Sequence, residues 1–202
     1  MDLTQVTQIG DTLDNTLFGD IDIDVLDGQG GDDYLFGQGG DDYLFGEAGN
    51  DIVVGGKGND YIFGEAGNDV LIGSEYKNNY FDFPELALDP FAFANAPVDP
   101  YTIEIDHFSG GAGADKFVLG DYFNSHYRGN SFAAIHDFNS VEGDKLEVFG
   151  VFADYTLGAA DVGGDGILDQ VLYYQDDAIA VFSNLAVPIQ AQDLISSQVI
   201  PA

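Results

Sequence analysis

The chain has 202 residues, 45% of them hydrophobic, and a formal net charge of −31 with only five Lys and Arg residues. This length and hydrophobic content are enough to bury the core of one elongated domain or two small ones. Nucleic acid is excluded as a partner, and anionic membrane surfaces are disfavoured, because both require clustered cations. The chain contains no Cys, so neither disulfides nor thiol chemistry contribute to it.

The first residues predict neither a signal peptide nor a membrane span. Residues 1–11 contain no basic segment and no apolar segment, so we expect no cleaved N-terminal signal. No apolar run in the chain reaches the length of about 18 residues that a membrane-spanning helix needs. Residues 1–9 are a polar lead-in, and a short strand is expected over 5–9.

A repeat of nine residues organises the chain that follows. Within its central units the fourth place is mostly Gly, the sixth is Asp and the eighth is Leu, Val or Ile. A fixed short repeat of this kind predicts a stacked architecture, in which each unit packs on its neighbours. The first place of every unit is Gly, at Gly10, Gly19, Gly28, Gly37, Gly46, Gly55, Gly64 and Gly73.

Each unit divides into a six-residue turn and a three-residue apolar strand. Side chains alternate between the two faces of a strand, so the middle strand residue is expected to point inward. Successive turns are expected on opposite sides of the coil, so that two units make one circuit and equivalent turns stack about 4.8 Å apart. The predicted inward residues are Leu26, Leu35, Leu44, Val53, Ile62 and Leu71.

The stacking places the sixth-place Asp residues in two columns. At an effective dielectric constant of about 20, two like charges ~5 Å apart repel each other by roughly 3 kcal/mol. A hard divalent cation relieves this repulsion, and Ca²⁺ accepts backbone carbonyl oxygens beside carboxylates. One predicted column contains Asp24, Asp42 and Asp60, and the other contains Asp33, Asp51 and Asp69.

Units such as GQGGDDYLF and GEAGNDIVV resemble the GGxGxDxUx nonapeptide of the repeats-in-toxin (RTX) family. The resemblance covers residues 19–72, and residues 110–118 contain one further full match. It implies an all-β fold, a right-handed parallel β-roll, with each Ca²⁺ held between two stacked turns. The ion-bridged pairs would be Asp24/Asp42, Asp42/Asp60, Asp33/Asp51 and Asp51/Asp69.

The resemblance also implies that turn carbonyls join the carboxylates around each of several Ca²⁺ ions. The metal-site residues expected in this way are Asp24, Gly28, Gly30, Asp33, Gly37, Gly39, Asp42, Gly46, Ala48, Asp51, Gly55, Lys57, Asp60, Gly64, Ala66, Asp69 and Asp115. The fifth-place residues are expected to be solvated or to bond within the turns: Asp32, Asp41, Asn50, Asn59 and Asn68.

The end units depart from the pattern. Asn15 replaces the sixth-place Asp of the first unit, and the second unit lacks its fourth-place Gly. The unit that begins at Gly73 has Tyr76 and Asn78 where Gly and Asp are expected. We therefore expect weak or absent ion sites at both ends, as is typical of capping repeats.

The outward strand places are also apolar. Tyr43 and Phe45 are expected to stack over Tyr61 and Phe63 on one sheet. On the other sheet, the same places hold Tyr34 and Phe36, then Ile52 and Val54, then Val70 and Ile72. Large apolar surfaces usually mark a contact. Three interpretations stay open: cover by later segments of the chain, a self-association face, or a platform for polysaccharide.

The period predicts three regions. Residues 1–81 form the RTX β-roll, 82–109 an inserted loop rich in aromatic residues and Pro, and 110–202 a final repeat with a C-terminal antiparallel β cap. The loop either packs on a roll face or acts as a mobile binding loop. Strands are expected over 102–108, 116–119, 134–138, 167–174 and 178–182, with a hairpin turn at 175–177. Residues 134–148 also resemble the segment that follows the roll in secreted RTX proteins.

An acidic loop and three histidines are also candidate functional sites, and neither predicts catalysis. Residues 161–169 carry acidic residues at places one, five and nine with Gly166 at six, and both a calcium loop and a plain acidic turn remain open. His107, His126 and His136 are scattered, and no HExxH motif occurs, so a zinc protease is unsupported. We expect no enzyme.

The sequence thus predicts a calcium-binding protein that is disordered without Ca²⁺ and folds with it. The resemblance implies secretion, because RTX proteins are typically exported by the type I route through an uncleaved C-terminal signal. The alternative is an extracellular carbohydrate-binding or surface-assembly module that uses the aromatic columns.

Overall fold

A computed structural model describes residues 7–74, 103–120, 127, 131–162, 164–183, 185 and 187–196. Among these residues, regular structure other than strands is limited to two short 3-10 helices, Phe152–Asp154 and Ala191–Asp193. In this part of the chain no helix combines the length and the hydrophobicity needed to cross a membrane.

The repeats form parallel strands that alternate between two sheets. One sheet contains β1 (Thr7–Ile9), β3 (Val25–Asp27), β5 (Tyr43–Ala48) and β7 (Tyr61–Ala66). The other contains β2 (Thr16–Phe18), β4 (Tyr34–Gly39), β6 (Ile52–Lys57) and β8 (Val70–Ser74). Leu26 pairs with Leu44, and Leu35 pairs with Val53. The predicted circuit of two units, and with it the parallel β-roll, is confirmed.

The central strands are longer than the three residues that the sequence predicts. Strand β4 continues from Tyr34 through Gly39, because the first places of the following turn still pair with the next circuit, where Gln38 lies opposite Gly56. Backbone pairing with the next circuit therefore extends from the strand into the turn, along much of each nine-residue unit.

The stack continues beyond residue 74. Strand β9 (Ile105–Ala112) pairs with β7, and β10 (Lys116–Val118) pairs with β8, both in parallel. The strand expected over 102–108 thus lies at Ile105–Ala112, so residues 105–109 of the expected 82–109 loop are strand within the roll. They join it because Oδ1 of Asp106 accepts the backbone N–H of Asp60 at 3.0 Å, as a sixth-place Asp would. Residues 75–102 lie outside the described residues.

The C-terminal part extends both sheets. Strands β11 (Phe132–Ile135), β12 (Lys145–Val148) and β16 (Leu194–Ser196) are parallel to their neighbours. Strands β13 (Tyr155–Ala160), β14 (Asp169–Tyr174) and β15 (Asp177–Phe182) form an antiparallel cap on the first sheet. The resulting orders are β1-β3-β5-β7-β9-β11-β15-β14-β13 and β2-β4-β6-β8-β10-β12-β16.

The predicted hairpin is confirmed. Tyr174 lies opposite Asp177, so that Gln175 and Asp176 form the connection between β14 and β15. Gln175 adopts a φ of 56°, the left-handed conformation that tight two-residue hairpin turns require. The antiparallel cap lies at the end of only one sheet. In the other sheet every strand pairing is parallel, including that of the last strand, β16.

The core lies between the two sheets. Every eighth-place residue that was predicted to point inward is 0% exposed: Leu26, Leu35, Leu44, Val53, Ile62 and Leu71. Phe108, Phe117 and Leu146 continue this column of buried side chains into the C-terminal part. One continuous core therefore joins the repeats to the cap.

The outer faces of the two sheets differ. On the seven-stranded sheet, Phe36, Val54, Ile72 and Val118 form a second buried cluster. On the nine-stranded sheet, the rings of Tyr43 and Tyr61 stack with centroids 4.9 Å apart, and Tyr43 is 41% exposed. The predicted stacking is confirmed on this sheet, where a second stack joins Phe45 to Phe63 at 5.0 Å.

Candidate metal centre

The sixth-place Asp side chains form two columns along the roll, called here the carboxylate columns. Two consecutive members of a column, with the turn backbone between them, are called a step. Every member is at most 2% exposed. One column contains Asp24, Asp42, Asp60 and Asp106, and the other contains Asp33, Asp51, Asp69, Asp115 and Asp144.

One oxygen of each carboxylate holds the turns in register. Oδ1 of Asp42 accepts the backbone N–H of Asp24 at 2.8 Å, and Oδ1 of Asp60 accepts that of Asp42 at 2.9 Å. Oδ1 of Asp51 accepts the N–H of Asp33 at 2.8 Å in the other column. Hydrogen bonds to an ionised carboxylate are stronger than neutral ones, so these contacts fix the orientation of each carboxyl group.

At six positions the second oxygen is buried and has no hydrogen-bond partner among the residues that the structure describes: Asp33, Asp42, Asp51, Asp60, Asp69 and Asp115. An unsatisfied buried polar group costs about 1–3 kcal/mol, and a charged one costs more. Each of these Oδ2 atoms therefore requires a proton or a cation.

The first-place glycines create the space beside these oxygens. A Cβ added to Gly28 would collide with Oδ2 of Asp33 and would lie 2.8 Å from the carbonyl oxygen of Gly46. At Gly64, the corresponding atoms are Oδ2 of Asp69 and the carbonyl oxygen of Gly110. Each recess thus brings together a carboxylate oxygen and a carbonyl oxygen from the next circuit, which are ligands that Ca²⁺ prefers.

The third-place carbonyls are partly engaged. The carbonyl oxygens of Ala48, Lys57 and Ala66 accept N–H groups from Gly31, Gly40 and Gly49 at 2.9–3.0 Å. A carbonyl oxygen has two lone pairs, so these hydrogen bonds leave room for a metal contact. The ligand roles expected for Gly30, Gly39, Ala48, Lys57 and Ala66 stay predictions.

The fifth-place side chains, expected to be solvated or to bond in the turns, are hydrogen-bonded to the turn of a neighbouring circuit. Oδ1 of Asp32 accepts the N–H of Asn50 at 2.8 Å, and Oδ1 of Asp41 accepts that of Asn59 at 2.9 Å. Asn68 donates in the same way to Oδ1 of Asn50 at 3.0 Å. These exposed hydrogen bonds tie successive circuits together outside the carboxylate columns.

Burial changes the acidity of the columns. It raises the pKa of Asp42 to about 7, that of Asp51 to about 6 and that of Asp69 to about 7, from 3.8. Burial, followed by the charge of Asp106, raises the pKa of Asp60 to about 9. With protons as the only counter-charge, the columns are thus partly protonated near neutral pH, whereas a bound cation would favour the ionised form.

Two members of the columns are absent from the sequence-based site. Asp106 and Asp144 lie outside the nonapeptide units, and the structure places them directly after Asp60 and Asp115. A weak signal exists for Asp144, because Asp144-Lys145-Leu146 repeats the pattern of Asp115-Lys116-Phe117. At the other end, Asn15 occupies a column place, and its backbone N–H is bonded to Oδ1 of Asp33 at 2.6 Å.

The loop 161–169 uses its carboxylates internally. Oδ1 of Asp161 accepts the N–H of Asp165 at 3.1 Å, and its Oδ2 accepts that of Gly166 at 3.0 Å. Across the described residues, no group of three or more His, Cys, Asp or Glu side chains could hold a metal ion. An ion in a carboxylate column must therefore combine stacked carboxylates with backbone carbonyls.

Comparisons with known proteins agree with this arrangement. Residues 9–44 and 45–75 match the family model of the RTX calcium-binding nonapeptide repeat. No curated protein gives a significant match.

Two solved structures are similar at low identity. The AlgE6R3 subunit of the Azotobacter vinelandii mannuronan C5-epimerase is 20% identical, over 96% of this chain and 84% of that chain, with a TM-score of 0.40. The extracellular lipase LipA from Serratia marcescens is 15% identical, over 94% of this chain and 39% of that chain, with a TM-score of 0.31. By this match, residues 9–75 carry copies of the RTX calcium-binding nonapeptide repeat.

Proposed function

We propose that several Ca²⁺ ions bind between the stacked turns of this roll and drive its folding. The observation that supports the proposal is the set of six buried Oδ2 atoms without hydrogen-bond partners. Ca²⁺ takes six to eight oxygen ligands at about 2.3–2.6 Å and tolerates irregular geometry, which suits two carboxylates combined with turn carbonyls. The ligands proposed are the sixth-place Asp residues and turn carbonyls predicted from the sequence, except Asp24, whose Oδ2 accepts the backbone N–H of Asp20.

The coupling to folding follows from charge. A chain with a net charge of −31 repels itself when it becomes compact, and burial of the columns adds to that cost. Binding of the metal supplies folding free energy directly, because the site does not exist in the unfolded chain. We expect dissociation constants of about 10⁻⁴–10⁻³ M, the range of extracellular calcium modules.

Calcium titration of the full chain tests this function. Far-UV circular dichroism and isothermal titration calorimetry should show β structure appearing in step with Ca²⁺ binding. Mg²⁺ is the control, since its demand for near-ideal octahedral geometry at about 2.0–2.1 Å makes it a poor substitute. A chain with full β content in chelator would contradict the folding role, and the absence of any Ca²⁺ binding would contradict the function itself.

The same proposal places the protein outside the cell. The chain would remain unfolded in a cytosol low in calcium and would fold where calcium is abundant. Type I export is the expected route, and the protein has no catalytic role in this scheme. Co-expression with a type I exporter should release the full chain into the medium, and its retention in the cytosol would contradict this route.

A second candidate function is binding of polysaccharide, or of another copy, on the nine-stranded sheet. Tyr43 and Tyr61 support it, because their rings stack at an interplanar angle of 4° and Tyr43 is 41% exposed. Flat exposed rings suit the apolar face of a sugar, whereas the net charge disfavours anionic polymers.

Glycan-array binding and size-exclusion chromatography in Ca²⁺ test this surface. A double variant, Tyr43→Ala with Tyr61→Ala, should lose the interaction, while Val187→Ala, at an exposed position in the C-terminal region, should retain it. Equal behaviour of the double variant and the wild type would assign the interaction to another surface.

A further inference from the structure

At the N-terminal end of each carboxylate column, a side-chain oxygen accepts a hydrogen bond from the backbone. Oδ1 of Asn15 accepts the backbone N–H of Asp11 at 2.7 Å. In the other column, Oδ2 of Asp24 accepts the N–H of Asp20 at 2.5 Å. The oxygens at the N-terminal end of both columns thus have a donor from the chain itself.

The C-terminal ends are closed in the same way. The hydroxyl of Tyr127 donates to Oδ2 of Asp106 at 2.7 Å, and Tyr127 is itself buried. The backbone N–H of Asn139 donates to Oδ2 of Asp144 at 2.8 Å. All six oxygens without a partner therefore lie between these two closed ends.

The recesses show which step each of these oxygens faces. A Cβ added to Gly55 would collide with Oδ2 of Asp60 and would lie 2.8 Å from the carbonyl oxygen of Gly73, so this Oδ2 lies on the side of the Asp60–Asp106 step. Oδ2 of Asp69 shares the recess of Gly64 with the carbonyl of Gly110. Oδ2 of Asp115 lies beside Gly110 in the same way as Oδ2 of Asp69 lies beside Gly64, and Oδ1 of Asp144 accepts the backbone N–H of Asp115 at 3.0 Å, so that Asp115–Asp144 is the next step of this column.

We propose that Asp106 and Asp144, which lie outside the nonapeptide units, complete two cation sites with Asp60 and Asp115. The proposal rests on the calcium-binding function proposed above and extends it to the whole of both columns. One ion for each oxygen without a partner gives six ions. They lie at the steps Asp33–Asp51, Asp51–Asp69, Asp69–Asp115, Asp115–Asp144, Asp42–Asp60 and Asp60–Asp106.

These sites link distant parts of the chain. Asp60 and Asp106 are 46 residues apart, as are Asp69 and Asp115, whereas neighbouring repeats within the roll are separated by 18. Asp115 and Asp144 are 29 residues apart. Asp144 directly precedes β12, which carries the core residue Leu146. Calcium at these steps therefore ties the C-terminal strands to the repeats, and the roll and its cap fold as one calcium-dependent unit.

Native mass spectrometry of the full chain in Ca²⁺ measures the number of bound ions. The wild type should bind about six ions, and Asp106→Asn and Asp144→Asn should each bind one fewer, with the double variant two fewer. The matched control is Asp176→Asn, which makes the same change of charge in the exposed hairpin turn and should bind as many ions as the wild type. Near-UV circular dichroism in saturating Ca²⁺ reports whether each variant is folded.

The outcomes separate this inference from the function on which it rests. If the wild type binds no Ca²⁺, the calcium-binding function fails. If the wild type binds Ca²⁺ and both variants bind as many ions as it does, the function stands and this inference is overturned. If a variant does not fold, wild-type crystals grown in Ca²⁺ decide: anomalous difference peaks at the Asp60–Asp106 and Asp115–Asp144 steps are expected, and their absence overturns the inference.

Discussion

Oδ1 of Asp51 accepts the backbone N–H of Asp33, 18 residues earlier, at 2.8 Å, while Oδ2 of the same carboxylate has no hydrogen-bond partner. One oxygen thus holds the register of the turns, and the other is directed into an oxygen-lined recess. Because the first hydrogen bond orients the carboxyl group, the second oxygen needs little reorganisation to bind a cation, which favours affinity. Four predictions follow from this division of roles and from the core beneath it.

In chelator, acid should stabilise the folded roll. Burial raises the pKa of Asp42 and of Asp69 to about 7 from 3.8, so the folded state binds more protons than the unfolded state between about pH 4 and about pH 7. Stability is therefore greatest below that window and falls as the pH rises through it. The pKa of about 9 at Asp60 extends the loss to higher pH.

Far-UV circular dichroism in chelator at several pH values measures this effect: the chain, unfolded there at neutral pH, should gain β structure as the pH falls. In saturating Ca²⁺ the dependence should reverse, because protons then compete with the cation for the same oxygens. A β content in chelator that increases between about pH 5 and about pH 8 would contradict the prediction.

Asp42→Asn should weaken Ca²⁺ binding at least about tenfold, or ~1.4 kcal/mol, at the site that its carboxylate lines with Asp60. The variant removes the charge but leaves an oxygen that can still accept the N–H of Asp24. The neighbouring Asp41→Asn is the control, because Oδ1 of Asp41 serves only the exposed hydrogen bonds to Asn59. Calorimetric titration compares the two, and an equal loss of affinity in both variants would point to net charge rather than to ligation.

Gly28→Ala should fill a recess. Its Cβ would meet Oδ2 of Asp33 and the carbonyl of Gly46, so we expect the free energy of unfolding in Ca²⁺ to fall by about 1–3 kcal/mol. Gly30→Ala is the matched control, because its Cβ would come no closer than 3.4 Å to Ala48, which itself holds the same place of a later unit. Thermal unfolding in Ca²⁺ tests the pair, and greater damage from Gly30→Ala would contradict the proposed role of the recess.

Leu44→Ala should destabilise the calcium-bound roll by about 2–5 kcal/mol, because Leu44 is 0% exposed between the two sheets. Ile21→Ala removes an aliphatic side chain that is 84% exposed and should change stability by less than about 0.5 kcal/mol. Chemical denaturation in saturating Ca²⁺ measures both. A small effect of Leu44→Ala would show that the ions, rather than the core, dominate the stability of the roll.

Much of the fold could be predicted because the repeat is short and local. The period of nine residues, combined with the alternation of side chains, leads to the pairing of Leu35 with Val53 and to the burial of both. The stacking of Asp42 on Asp60 follows from the same period. No long-range information is needed where each circuit repeats the previous one.

The sequence did not predict the members of the Asp columns that lie beyond the nine-residue repeat. Asp106 and Asp144 enter the columns 46 and 29 residues after their neighbours, and neither separation is a multiple of the repeat. Only strand pairing, of β9 with β7 and of β12 with β10, brings these carboxylates above Asp60 and Asp115. The two outer faces were likewise equivalent in sequence, yet Phe36 is buried whereas Phe45, at the same place of the next unit, is only half-buried.

The coil, its inward aliphatic residues and the repeated part of the Asp columns follow from the amino-acid sequence alone, because each depends on contacts between units that repeat at a constant spacing. Which carboxylate oxygens have a donor within the chain, and which require a cation, depends on the tertiary structure. The donors that close the columns, such as the Tyr127 hydroxyl and the Asn139 amide, come from segments outside the repeat. Their positions depend on how the C-terminal strands pair with the roll, which no period in the sequence specifies.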